Sequence, residues 1–144
     1  MPAKKLLYIE DECKKPLETD PLYSILDEAG FETTVVEDGE KAFERLNQEQ
    51  YDVIILDIML PHRGENIPRD VPRYHTGIHL LKRLRDGEFS QDQNTPVVVI
   101  SAIADMEDMR KIKEEMHPDK YLEKPIPPPA LLDAVNEVLK LKSK

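Results

Sequence analysis

Two short runs constrain this chain more than any other feature: Val53-Ile54-Ile55-Leu56 and Pro96-Val97-Val98-Val99-Ile100. Both are apolar at successive positions, rich in β-branched residues and too short for a buried helix. A strand with one wet face alternates apolar and polar residues. A strand apolar on both faces has to be covered on both sides, which is the setting of parallel strands flanked by helices. Leu6 to Ile9, Phe31 to Val36 and a weaker Tyr121-Leu122 supply three more strand candidates, the second opened by the turn signal Ala29-Gly30.

Amphipathic segments alternate with these runs. Pro21 to Ala29 has Asp20 as cap and proline at its first helical position. Gly39 to Asn47 follows Asp38 and turns Phe43 and Leu46 inward. Ile78, Leu81 and Leu84 mark a third helix. Met106, Met109, Ile112 and Met116, behind Asp105, mark a fourth. Leu131, Leu132, Val135, Val138 and Leu139 mark a fifth, ending at Leu141. Five β-then-α units predict an α/β fold with a doubly wound, five-stranded parallel sheet.

The 144 residues suffice for one domain and leave no room for a second of ordinary size. A formal net charge of -9, without any Lys/Arg run, argues against DNA, whose binding rests on neutralising phosphates. Cys13 is alone, so no internal disulfide forms and a reducing cytoplasm is the natural home. No apolar run is long enough for a signal peptide or a membrane span. One segment, His62 to His75, breaks the rhythm. It holds Pro68, Pro72, three arginines and two histidines, with no periodicity. A long loop after the third strand reads either as a tolerated insertion or as a partner contact.

Open α/β sheets place ligands beyond the carboxyl ends of their strands. In this chain those ends carry Glu10-Asp11-Glu12, Asp57, Ser101 and Lys124. Converging carboxylates repel each other, so their pKa values rise or a cation is held. Mg²⁺, with Mn²⁺ as the alternative, suits a hard oxygen site. It typically takes one or two carboxylates plus phosphate and water. Asp57 follows a buried run, and a carboxylate can act as a nucleophile and form an aspartyl phosphate. A divalent metal, the Lys124 ammonium and the Ser101 hydroxyl are the groups such a transfer needs.

Four motifs then stand in order, each at a strand end: Leu7-Tyr8-Ile9-Glu10-Asp11-Glu12, Asp57-Ile58-Met59-Leu60-Pro61, Val99-Ile100-Ser101-Ala102 and Tyr121-Leu122-Glu123-Lys124-Pro125. Together they resemble the response-regulator receiver family of two-component signalling, from Lys5 to Lys140. The resemblance implies a flavodoxin-like sheet of order 2-1-3-4-5 in a stand-alone receiver without an output domain. It implies Asp57 as phosphoacceptor, Asp11 as direct metal ligand, Glu10 acting on the metal through water, and the backbone carbonyl of Met59 as a further ligand. Ser101 would hydrogen-bond the phosphoryl group, and Lys124 would pair with it, with a cis Lys124-Pro125 bond. Tyr121 matches the aromatic that turns inward as Ser101 moves. The implied partners are a sensor histidine kinase or histidine phosphotransfer protein and a downstream protein target. The switched form is a monomer or a phosphorylation-dependent dimer.

Three departures from the family pattern stand out. Glu10 replaces the commoner aspartate. Cys13 to Thr19, with Pro16, delays the first helix. The glycine expected soon after Pro61 is Gly77, beyond the insertion. Met59 and Ile103, both apolar, stand where the family flanks the attacking water, which predicts slow autodephosphorylation. The insertion's arginines suit an acidic or phosphorylated partner. The competing reading is a phosphorylation-independent binding module, which would lack the acceptor, a metal acid or the lysine. A phosphatase with an aspartate nucleophile would need an acid where Met59 stands, and a nucleotide switch would need a glycine-rich phosphate loop.

Overall fold

A computed structural model describes residues 3–13, 15–58, 76–102, 110, 112–116 and 118–142. The insertion His62 to His75, Met59 and Ile103 lie outside these residues, as does most of the fourth expected helix. Five parallel strands form one sheet: β1 (Lys5–Ile9), β2 (Glu32–Val36), β3 (Val53–Asp57), β4 (Val97–Ser101) and β5 (Lys120–Glu123). Their order is β2-β1-β3-β4-β5, the flavodoxin-like arrangement of receiver domains. Every residue of β3 and β4 is buried, as the two apolar runs require.

Helices α1 (Pro21–Glu28), α2 (Gly39–Gln48), α3 (Thr76–Arg85) and α4 (Pro128–Lys142) cover both faces. Period-two alternation along each strand splits the core in two. Leu6, Tyr8, Val53, Ile55, Val98 and Ile100 meet Leu26 of α1 and Leu131, Val135 and Val138 of α4. Leu7, Ile9, Ile54, Leu56, Val97 and Val99 meet Leu46 of α2 and Leu80, Leu81 and Leu84 of α3. Ile112, in a short π-helical turn at Ile112–Met116, joins this second core.

The helix starts follow their cap residues. Asp20 Oδ1 accepts the backbone N–H groups of Leu22 (2.9 Å) and Tyr23 (3.1 Å), and Asp38 Oδ1 accepts that of Lys41 (2.8 Å). Each such cap is worth about 1 kcal/mol. The chain between β1 and α1 is a detour: a cis Lys15–Pro16 bond, then a 3₁₀ turn at Leu17–Thr19. α1 begins at Pro21, behind its cap Asp20.

Register carries the chemistry to one edge. Ile9 pairs with Leu56, Asp57 with Ile100, and Ser101 with Glu123. The ends of β1, β3, β4 and β5 thus finish side by side. Among them α3 comes in very close: Gly77 N–H donates to Ile58 C=O at 3.1 Å.

Candidate functional site

Asp57 is the last residue of β3 and only 2% exposed, on the face that Val53 and Ile55 share with α1 and α4. Glu10 follows β1 and is held to the sheet by its N–H to Val36 C=O, at 3.0 Å. Continuing the alternation of Leu6 and Tyr8, it faces the same way as Asp57, and it is 3% exposed. Two buried carboxylates side by side are untenable without a counter-charge.

Lys124 supplies it. Its backbone N–H donates to Ser101 C=O at 2.8 Å, which anchors the turn after β5. Its Nζ then reaches Glu10 Oε2 at 2.7 Å and Asp57 Oδ2 at 2.8 Å, with the exposed Glu12 carboxylate farther off at 3.7 Å. The following Lys124–Pro125 bond is cis, as the motif implied.

Proton affinities follow from this packing. Burial, then the hydrogen bond and charge of Asp57, push the Glu10 carboxyl up to about 8, with Lys124 opposing. Burial disfavours the charge of Lys124, but the bonds to Asp57 and Glu10 outweigh it and lift the ammonium above its ordinary range. Even with Glu10 carrying a proton, the carboxylates of Asp57 and Glu12 face a single ammonium, so the cluster keeps a net negative charge.

Glu10, Asp11 and Asp57 can each offer a ligand oxygen within 4.8 Å of the others. Hard oxygen donors, mostly buried and short of positive charge, fit Mg²⁺. Beside them a cavity of about 450 Å³ is lined by Tyr8, Glu10, Glu12, Leu22, Lys124 and Ile126. Asp20 and Leu22, at the start of α1, form one of its walls.

Ser101 ends β4 and is fully buried on the opposite face, the one carrying Val97 and Val99. Tyr121 packs against that same core. Its hydroxyl is buried beside Ser101 without a hydrogen bond of good geometry among the described residues, and Lys113 Nζ lies 5.3 Å from its ring centroid. Burial raises the phenol's pKa, with Ser101 opposing.

The model of the response regulator receiver domain matches residues 7–136. The chain belongs to that family. Receiver domains are the signalling modules of two-component systems, and this one has their sheet order and their acidic pocket. The transcriptional activator IrlR of Burkholderia pseudomallei is 34% identical over 136 residues, covering 94% of this chain and 50% of that protein. The chain thus spans about half the length of the curated relatives it matches. The receiver domain of the Francisella response regulator 1452 shares 32% identity at a TM-score of 0.70, over 98% of this chain and 99% of that one. The receiver domain of the Pseudomonas aeruginosa histidine kinase PA1611 shares the fold at 20% identity and a TM-score of 0.70, covering 96% of this chain and 98% of that one. It was solved with a magnesium ion in its active-site cleft. Among the described residues no helix is long and apolar enough to cross a membrane.

Glu10, Asp11, Asp57, Ser101 and Lys124 gather at the strand ends, while Tyr121 lies within β5, paired with Val99. Met59, named as a backbone ligand, lies outside the described residues. Sequence reasoning missed the direct contact of Glu10 with Lys124.

Proposed function

We propose that this receiver accepts a phosphoryl group on Asp57 from a histidine kinase or histidine phosphotransfer protein, in the presence of Mg²⁺. The observation that carries the reading is the buried Asp57 carboxylate held 2.8 Å from Lys124 Nζ beside two further acids. An Asp57 oxygen attacks phosphorus, the P–N bond of the donor phosphohistidine breaks, and its electron pair returns to the imidazole nitrogen. Asp11 and Asp57 would hold the metal directly, with the Met59 carbonyl, and Glu10 would reach it through water. The chemistry such an ion would supply is an offset of the charge on the phosphoryl oxygens. Lys124 pairs with one of those oxygens and Ser101 donates a hydrogen bond to another.

Phosphorylation adds about -1.5 to -2 charges at neutral pH. Ser101 drawn toward them leaves room beside Tyr121, and the surface around β5 and α4 changes its partners. The phosphoryl group must favour one of two states by free energy for this to be a switch. With Met59 and Ile103 both apolar, autodephosphorylation takes minutes to hours. A half-life of a few seconds for the isolated phosphoprotein would remove that reading.

Incubation with acetyl phosphate or phosphoramidate and Mg²⁺, followed by intact mass, tests the central claim. One added phosphoryl group is expected, and Asp57→Asn or a chelator should abolish it. No gain with any donor would overturn it in favour of a phosphorylation-independent binding module.

A further inference from the structure

We infer that the cavity walled by Tyr8, Leu22 and Ile126 binds a small free organic amine as its ammonium ion. The binding concerns the unphosphorylated protein and does not depend on the proposed transfer.

Tyr8 is the first observation. It is 1% exposed, it lines the cavity, and its hydroxyl makes no hydrogen bond among the described residues. A buried phenol ordinarily finds a partner, because leaving its hydroxyl without one costs free energy. The rest of its face of the sheet is apolar: Leu6, Val53, Ile55 and Val98. Its one polar side-chain atom therefore has the cavity to turn to.

Charge is the second. Around that hydroxyl stand Glu10, Asp20 and Asp57. Glu12, 75% exposed, edges the cavity as well. Lys124 also lines it, but its ammonium is taken by Glu10 at 2.7 Å and Asp57 at 2.8 Å. A cleft lined by one sign of charge draws the opposite sign and rejects its own. The guest is therefore a cation.

The remaining walls say which kind. Leu22, Ala102, Pro125 and Ile126 are apolar. A hard metal ion wants oxygen around it, which these walls do not offer. An ammonium on an apolar body meets both demands. Its N–H groups donate to the Tyr8 oxygen and to the carboxylates, while its body lies against Leu22, Pro125 and Ile126. The cavity, about 450 Å³, is of the size that takes small molecules. A ring on a short stem covers such walls better than the slim stem of a lysine side chain, so a free amine fits better than a partner's lysine.

NMR titration of the ¹⁵N-labelled full chain, at low ionic strength and without Mg²⁺, tests this. Three probes share one shape: phenethylammonium, neutral phenethyl alcohol and anionic phenylacetate. Phenethylammonium should bind with a Kd of about 1 mM and shift the amides of Leu22 and Ile126. The alcohol should bind about tenfold more weakly, and phenylacetate should give no shift. Nα-acetyl-lysine amide should bind about fivefold more weakly than phenethylammonium. Tyr8→Phe should weaken phenethylammonium about fivefold. Glu12→Gln, at an exposed position that folding does not need, should weaken it about twofold, so a poorly folded Tyr8→Phe leaves the test intact. No shift at Leu22 and Ile126 with any probe overturns the inference. So does equal binding of the ammonium and the alcohol, which is apolar adsorption, or unchanged affinity in a folded Tyr8→Phe. A lysine derivative that binds as tightly as phenethylammonium overturns the free amine in favour of a partner's side chain.

Discussion

Replacing Gly77 by alanine should destabilise this protein, although the usual expectation has the opposite sign. Gly77 lies in the first turn of α3, where Gly→Ala ordinarily gains up to about 1 kcal/mol of helix propensity. Here a Cβ on Gly77 would sit 2.5 Å from Ile58 Cα, 2.6 Å from the Asp57 carbonyl oxygen and 2.8 Å from that of Ile58. All three atoms are backbone, so no side chain can rotate aside. Ordinary contact lies at about 3.5–4.0 Å, so α3 must retreat by about 1 Å. That retreat stretches the Gly77 N–H bond to Ile58 C=O, worth about 1 kcal/mol, and unseats Ile78 and Leu81 from the core. Overpacking of this kind costs about 1–3 kcal/mol. After the propensity gain, a net loss of about 1–3 kcal/mol remains, or a fall in Tm of roughly 3–10 °C for a domain of this size. Urea and thermal unfolding followed by circular dichroism measure it. Gly30→Ala serves as a control: its φ of 95° penalises a side chain, but nothing lies within 4 Å of the new Cβ. Gly77→Ala as stable as the unaltered protein, or more so, would refute the close approach of α3 to the acceptor strand.

Other predictions concern the charges. Lys124→Met leaves Glu10 and Asp57 buried without their cation and should cost about 3 kcal/mol at neutral pH without Mg²⁺. Chemical denaturation of the two proteins measures the loss. The Cys13 thiol is pushed up to about 12 by burial and then by Asp20 and Glu10, so little thiolate exists at pH 8. Its alkylation by iodoacetamide should run about a hundredfold or more below that of a free thiol and return to normal in urea, as mass spectrometry would show. Asp119 Oδ2 accepts both Arg85 Nη2 and the Val97 N–H, each at 2.9 Å, so Asp119→Ala should cost about 1.5–3 kcal/mol by urea denaturation.

Much of this was legible in the chain. The apolar runs at β3 and β4 forced covered parallel strands, and Asp20 and Asp38 marked two helix starts that the structure keeps. The residues that gather at the strand ends were named from their place after each run. What could not be read were distances across the sheet. Asp57 and Lys124 are 67 residues apart, and no local pattern shows that one ammonium reaches two acids. Gly77 could be matched to a family position, but not to the backbone it would strike.

By itself, the sequence determined which groups would meet. Strand ends and alternation follow from burial, and burial follows from residue type. The tertiary structure decided how they meet: that Lys124 is shared by Glu10 and Asp57, that Ser101 and Tyr121 lie on the opposite face, and that α3 touches the acceptor strand through a bare glycine. Those are matters of register and of a few ångströms between elements far apart in the chain. Local propensity fixes the elements, and only their packing fixes the gaps between them.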